Sequence, residues 1–336
     1  MKGMYEKDQP LKVQEVGDTI FAVESHETPM GRLIPRGSRP AGTLSSWPVQ
    51  EYPRRPFGGT FDGYDVDKYN STTREPLKVY AQWLLESWLV SKLAELTQTH
   101  GVRPKTEKAK QAADALLLLK KKVERLLLSF QDTAPETGVK TPFLSRGMLR
   151  WLDNTAQGVE PVPAAFRPPA ACVHKTELSN LTAAAFEDMV SAAAEQKMSP
   201  VDLFGVCGIK LKRQMSDWTQ RGDTDNDILP LQRFNLNAAD KKLIRGVDRF
   251  EFDAGTVETA LSWYIACDPA TGKDTAYTPR SGLFVDLSMW ELRYLQPIQS
   301  VVEPPKSGGP RGYHDTVLTI EAKNPLGQLL VYTNQD

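Results

Sequence analysis

Few of the 336 residues could do chemistry, and their spacing does not bring them together. Asp223-Thr-Asp225-Asn-Asp227 resembles the opening of a calcium loop, where alternating oxygens close around a hard cation. The sixth position is Ile228, where the turn demands glycine, and the twelfth is Phe234, where a bidentate glutamate should close the shell. A solvated acidic loop is expected instead. Cys172 and His174 stand two apart, which puts a thiol and a base on one side of an extended chain. No acid within the motif orients the imidazole, so a buried thiol beside a surface histidine is expected. His26, His100, His174 and His314 are too scattered to suggest a metal site. Phosphate-cradling G-x-x-x-x-G-K-[ST], dinucleotide-binding G-x-G-x-x-G, the G-x-S-x-G elbow and H-E-x-x-H are all missing. No catalytic, cofactor-binding or metal-binding residue is assigned, and no cofactor is expected.

The elements that would position any site start from a balanced composition. With 41 Lys+Arg against 42 Asp+Glu the net charge is −1, which removes the blanket argument for a nucleic-acid binder. Hydrophobic residues make up 40% and charged residues 25%, ordinary for a soluble protein, and the length suggests about two domains. No window approaches 18 consecutive apolar residues, no signal peptide is read at the start, and the cysteines are three and far apart. Synthesis in a reducing cytoplasm and no membrane contact are expected.

Charge is uneven locally. From Thr28 to Thr60, Arg32, Arg36, Arg39, Arg54 and Arg55 face a single acid, Glu51, while six prolines oppose a helix and hold the chain extended. An extended arm to about Thr43 and a long protruding hairpin from Thr43 to Ser91 are predicted. Trp47, Trp83 and Trp88 lie in that hairpin. Aromatic side chains on a segment that cannot bury itself suit a partner surface, and arginine's planar fork suits a carboxylate or phosphate.

Periodicity then predicts one amphipathic helix from Glu107 to Phe130, with Leu116, Leu119, Val123, Leu126 and Phe130 as its apolar stripe and Lys120, Lys121, Glu124 and Arg125 filling the solvent side. Shorter helices are predicted over Ser91–Thr99, over Leu181–Gln196 with Thr176 or Ser179 as cap, and over Lys210–Trp218. Strands are predicted at Gly246–Phe252, Val257–Ile265 and Gly282–Leu287, and a closing hairpin pairs Asp315–Ala322 with Gln328–Thr333.

In this order the chain resembles the capsid fold of tailed-bacteriophage and herpesvirus shells. In detail it resembles one branch of phage major head proteins. The resemblance rests on Thr28-Pro-Met-Gly31, Leu144-Ser-Arg-Gly-Met-Leu-Arg-Trp-Leu152, Thr176-Glu-Leu-Ser-Asn-Leu-Thr-Ala-Ala-Ala-Phe186, Val285-Asp-Leu-Ser-Met-Trp-Glu-Leu-Arg-Tyr-Leu295 and Leu318-Thr-Ile-Glu-Ala-Lys-Asn-Pro-Leu-Gly327. It implies an α+β tailed-phage major capsid protein fold. The N-terminal arm would be residues 1–42, the extended loop 43–91, the peripheral domain with its spine helix 92–140 and 297–336, and the axial domain 141–296.

The implied function is structural: pentamers and hexamers assembling into an icosahedral head. The partners are further copies of the chain, packaged double-stranded DNA, a portal, and scaffold or decoration proteins. Inter-subunit or DNA-facing contacts fall on Arg32, Arg36, Arg39, Trp47, Arg54, Arg55 and Trp83. The product would sit in the virion capsid after synthesis in the host cytoplasm. The alternatives are an encapsulin-type compartment shell and a metal-dependent enzyme using Asp223, Asp225 and Asp227.

Overall fold

The computed structural model describes residues 28–50, 74–96, 106–138, 141–155, 157–218, 247–306 and 308–336, with short stretches between. Arg54 and the Asp223–Asp227 loop lie outside the described residues. Among the described residues no helix is long and apolar enough to cross a membrane.

Among the described residues the α-helices are α1 (Pro29–Leu33), α2 (Lys92–Leu96), α3 (Glu107–Leu127), α4 (Met148–Trp151), α5 (Ala183–Lys197) and α6 (Ile209–Asp217). The strands are β1 (Leu44–Gln50), β2 (Arg74–Tyr80), β3 (Gln82–Leu89), β4 (Val173–His174), β5 (Val201–Cys207), β6 (Phe234–Asn235), β7 (Lys242–Leu243), β8 (Arg249–Phe252), β9 (Gly255–Leu261), β10 (Gly282–Val285), β11 (Trp290–Lys306), β12 (Gly309–Ala322) and β13 (Leu329–Val331). The chain divides into two compact units, and among the described residues it passes from one to the other inside β3, α3, β11 and β12.

The larger unit holds Glu27–Leu84, Lys120–Gln299 and Asp315–Asp336. Its six-stranded sheet runs β4-β13-β10-β5-β9-β8 and mixes parallel β5/β9 and β13/β4 with antiparallel neighbours. α5 lies across it, burying Phe186, Met189, Val190 and Ala193 in a core with Leu203, Val257, Phe284 and Leu329. Its cap is Thr182, whose hydroxyl accepts the Ala185 N–H, because the chain from Leu178 to Asn180 is a separate 3-10 turn and leaves Thr176 and Ser179 too early. A second core gathers Val123, Leu126 and Leu127 of α3 with Met148, Leu149 and Trp151 of α4 and Leu318, Ile320 and Ala322 of β12.

The smaller unit, among the described residues, is Leu85–Leu119 with Ser300–His314. Trp88 and Val90 pack with Ala115 of α3, and the His314 Nε2–H donates 2.8 Å to the Ala112 carbonyl oxygen. Helix α3 begins with a weak cap at Thr106, whose hydroxyl accepts the Ala109 N–H at 3.4 Å, and carries Glu107 in its first turn and Arg125 in its last, as the helix dipole favours. The predicted helix is therefore present over nearly its full length.

Three expectations are corrected. The segment Thr43–Ser91 is not one hairpin: β1 pairs with β2, while β3 joins β11 and β12 in another sheet. Its base is also core rather than protrusion, with Leu77 and Val79 buried beside Trp47, because these apolar residues alternate inward on the paired strands. Nor is the chain end a hairpin. Asn324 accepts the Leu326 N–H through its side chain and Gly327 sits at φ +72°, and this turn sends β13 into the six-stranded sheet, where it pairs with β10.

Candidate functional site

The arm is the first place where local chemistry decides the fold. Its prolines argue against helix, yet Pro29–Leu33 is helical, because proline is compatible with a helix's first position. Such a start leaves backbone N–H groups without acceptors. Thr28 supplies no side-chain cap; Glu124 of α3 supplies one from 93 or more residues away, its carboxylate accepting Met30 N–H at 3.0 Å and Gly31 N–H at 2.6 Å. A side chain at residue 31 would place Cβ 3.1 Å from Glu124 Oε2, so glycine lets the two approach. Farther on, Gly37 N–H donates to the Leu292 carbonyl, Leu292 N–H donates to the Pro35 carbonyl, and Arg36 forms a parallel bridge with Leu292.

Glu124 was expected on the solvent face, but it is fully buried. Burial pushes its carboxyl up to about 7, and the Gly31 and Met30 N–H groups only partly offset this. Between the ordinary value of 4.5 and about 7 the folded chain binds more proton than the unfolded chain. The contribution of this group to stability is therefore full below its ordinary value and is lost as pH rises through 7, a fall of about 3 kcal/mol at 1.36 kcal/mol per unit. We expect the urea midpoint to drop between pH 5 and pH 8, and Glu124→Gln to flatten that slope while giving up one of the two arm hydrogen bonds. An unchanged slope in the variant would remove Glu124 as its source.

A second cluster forms where Leu144–Leu152 meets the end of α3. Arg146 is fully buried; its Nε–H donates 2.9 Å to Asp132 Oδ1 and one terminal nitrogen donates to the carbonyls of Val159 and Glu160 at 2.8 and 2.9 Å. The guanidinium also lies 4.6 Å over the Trp151 ring. Burial pushes the Asp132 carboxyl up, but Arg146 and the N–H groups of Gly158 and Thr133 outweigh it and hold the carboxyl below the ordinary range. Gly147 opens α4 against the end of α3: a Cβ there would stand 2.2 Å from the Ser129 carbonyl oxygen. Asp153 joins the same network through Arg150, Lys175 and Thr155.

The residues expected to make contacts outside the chain are dispersed. Arg32 and Arg39 are exposed, and Arg55 is exposed on the β1–β2 connection. Arg36 is exposed and stacks 5.0 Å over Tyr294 of its own chain. Trp47 is 8% exposed, donates its indole N–H 2.9 Å to the Ala322 carbonyl and tilts against Trp151 at 5.7 Å. Trp83 is 61% exposed and donates 3.1 Å to Asp315. On the connection itself Tyr52, Phe57, Phe61 and Tyr69 are all more than three-quarters exposed.

Cys172, Cys207 and Cys267 are buried, which pushes their thiols up to about 11, 12 and 11, and a ring nitrogen of His174 engages the Glu177 carbonyl. Among the described residues no group of three His, Cys, Asp or Glu could hold a metal. The positions sequence reading missed, Glu124 and Asp132 above all, are charged side chains whose partners come from distant segments.

The same architecture occurs in solved phage shells. The capsid of cyanophage A-1(L) superposes with a TM-score of 0.64 at 12% identity, covering 98% of this chain and 99% of that one. The capsid of cyanophage P-SCSP1u gives 0.63 at 10% identity over 100% and 96%, and a chain from Mycobacterium phage Ogopogo gives 0.61 at 12% over 99% and 100%. No curated protein sequence matches. At such identities the superpositions establish the tailed-phage capsid fold, an α+β architecture, and they favour neither a compartment shell nor an enzyme. The function follows from sequence: the family of the SU10 major capsid protein matches residues 3–327, nearly the whole chain, and to that family of phage head proteins this chain belongs.

Proposed function

We propose that copies of this chain join as pentamers and hexamers into an icosahedral head around double-stranded DNA, and that the arm and the β1–β2 connection carry contacts between copies. The observation that carries the second part is the set Tyr52, Phe57, Phe61 and Tyr69, large side chains left in water on one connection of the isolated chain. Arg32, Arg36, Arg39, Arg55 and Trp83 are the exposed members of the contact set, with Arg54 beside Arg55 in sequence. Trp47 serves its own subunit through Ala322, whereas Arg36 stacks over Tyr294 and still stands exposed. The division suggested by family likeness, arm, extended loop, peripheral and axial domains, belongs to the same reading. So do synthesis in a host cytoplasm, a portal with scaffold or decoration proteins, and a role that is structural and not catalytic.

Electron microscopy of the purified chain tests the proposal. Closed particles tens of nanometres wide are expected; a monomer or dimer under all assembly conditions would overturn it. The arm arginines add a finer expectation. Each exposed ionic contact is worth about 1 kcal/mol at most and is screened within about 8 Å at physiological salt, but repetition over many copies makes assembly depend on it. The triple variant Arg32→Ala, Arg36→Ala, Arg39→Ala should assemble in lower yield and lose much of the salt dependence. Equal yield and equal salt sensitivity would show that these arginines are merely solvated.

A further inference from the structure

Asp62–Gly63 is the one place among 336 residues where an Asp or Asn precedes glycine. The pair forms a turn on the β1–β2 connection, with Asp62 and Gly63 both exposed and Phe61 beside them 88% exposed. Gly63 stands at φ +79°, in the left-handed region, and a Cβ built on it would meet nothing within 4 Å. Exposure, a turn and open space around the glycine favour attack by a backbone nitrogen on the preceding side chain. The acceptor carboxyl is one residue away, glycine puts no side chain in the path of ring closure, and no neighbouring group packs where a Cβ would be.

We propose that Asp62–Gly63 is a site of spontaneous isomerisation to isoaspartate. The Gly63 amide nitrogen attacks Asp62 Cγ and forms a C–N bond, the nitrogen gives up its proton, and the carboxyl leaves one oxygen as water. The product is a five-membered succinimide. Water then opens the ring at either carbonyl: cleavage at the side-chain carbonyl restores aspartate, and cleavage at the main-chain carbonyl leaves the chain running through Cβ and Cγ. One water leaves and one enters, so mass is unchanged and no catalyst or cofactor takes part. The isoaspartate carries an extra methylene in the backbone and a carboxylate where the main-chain carbonyl stood, directly beside Phe61.

The experiment incubates the purified full-length chain at pH 7.4 and 37 °C for weeks, digests it, and separates the fragment containing residues 61–63 by liquid chromatography with electron-transfer fragmentation. A free synthetic peptide of the same sequence is run in parallel. The expected result is a second peak of identical mass with the isoaspartyl fragmentation pattern in both samples, several-fold smaller in Gly63→Ala and lost in Asp62→Glu. A single unchanged peak from the full-length chain, while the free peptide isomerises, would overturn the proposal by showing that the fold protects the pair. A second peak that persists in Asp62→Glu would also overturn it. The chemistry does not depend on the contact role proposed for this connection, but its consequence for assembly rests on that reading. If aged chain rich in isoaspartate enters shells as readily as fresh chain, the contact role at the turn fails and the modification stands.

Discussion

Val123→Asp is expected to leave the chain insoluble and unassembled. Val123 is 5% exposed on α3 and shares a core with Leu126 and Leu127 of the same helix and with Leu318, Ile320 and Ala322 of β12. A carboxylate placed there has apolar neighbours, and an uncompensated buried charge costs about 3–5 kcal/mol, a large part of the 5–15 kcal/mol that separates a folded domain from its unfolded chain. Val123→Ala removes two methyl groups without adding charge and should cost about 2 kcal/mol, leaving a soluble chain with a lower urea midpoint. Fractionation of lysate and electron microscopy of the soluble part read both. Soluble, assembling Val123→Asp would mean that this face of α3 is not core.

Arg146→Met should cost about 3–5 kcal/mol, because methionine fills much of the volume but abandons a carboxylate and two carbonyl oxygens. Asp132 would keep Arg150 at 3.4 Å and the Gly158 and Thr133 N–H groups, while Val159 and Glu160 would lose their shared donor. The acid side of the stability profile carries an independent signature. Since the Asp132 carboxyl is held below its ordinary 3.8, its contribution is present above that value and is lost as pH falls through the lowered one. Arg146→Met should shrink this acid loss, and Asp132→Asn in the same background should add little further. A destabilisation below 1 kcal/mol at neutral pH would show that packing, not the guanidinium, holds this corner.

Elements governed by local pattern were legible in the sequence. The 3.6-residue period marks α3 within three residues of its observed end, and α5, α6 and β8–β10 fall close to their predicted ranges, since each buries one face that its own sequence spells out. What failed depended on partners far along the chain. A lone glutamate on a helix rich in lysine reads as solvent-facing until α1 arrives with two free N–H groups, and nothing near Glu124 in sequence announces that arrival. The arm helix was missed for the same reason seen from its other end: proline-rich sequence does not reveal that a distant carboxylate will cap it. Strands β12 and β13 were each visible, but their alternation does not say which sheet receives them. Of the contact set, Arg32, Arg36, Arg39, Arg55 and Trp83 are exposed, whereas Trp47 shows that a tryptophan in a proline-rich stretch can still be core.

The crossings between the two compact units carry a consequence for inheritance. Among the described residues each falls inside a helix or a strand, between residues 84 and 85, 119 and 120, 299 and 300, and 314 and 315. A gene exchange with one breakpoint between codons 85 and 314 would therefore leave both units built from segments of two parents, with side chains selected for different neighbours. Neither unit can be passed on as a cassette. Viable chimaeras between related phages should cluster with breakpoints outside that interval, so the gene should recombine as a single block even though its product folds as two bodies.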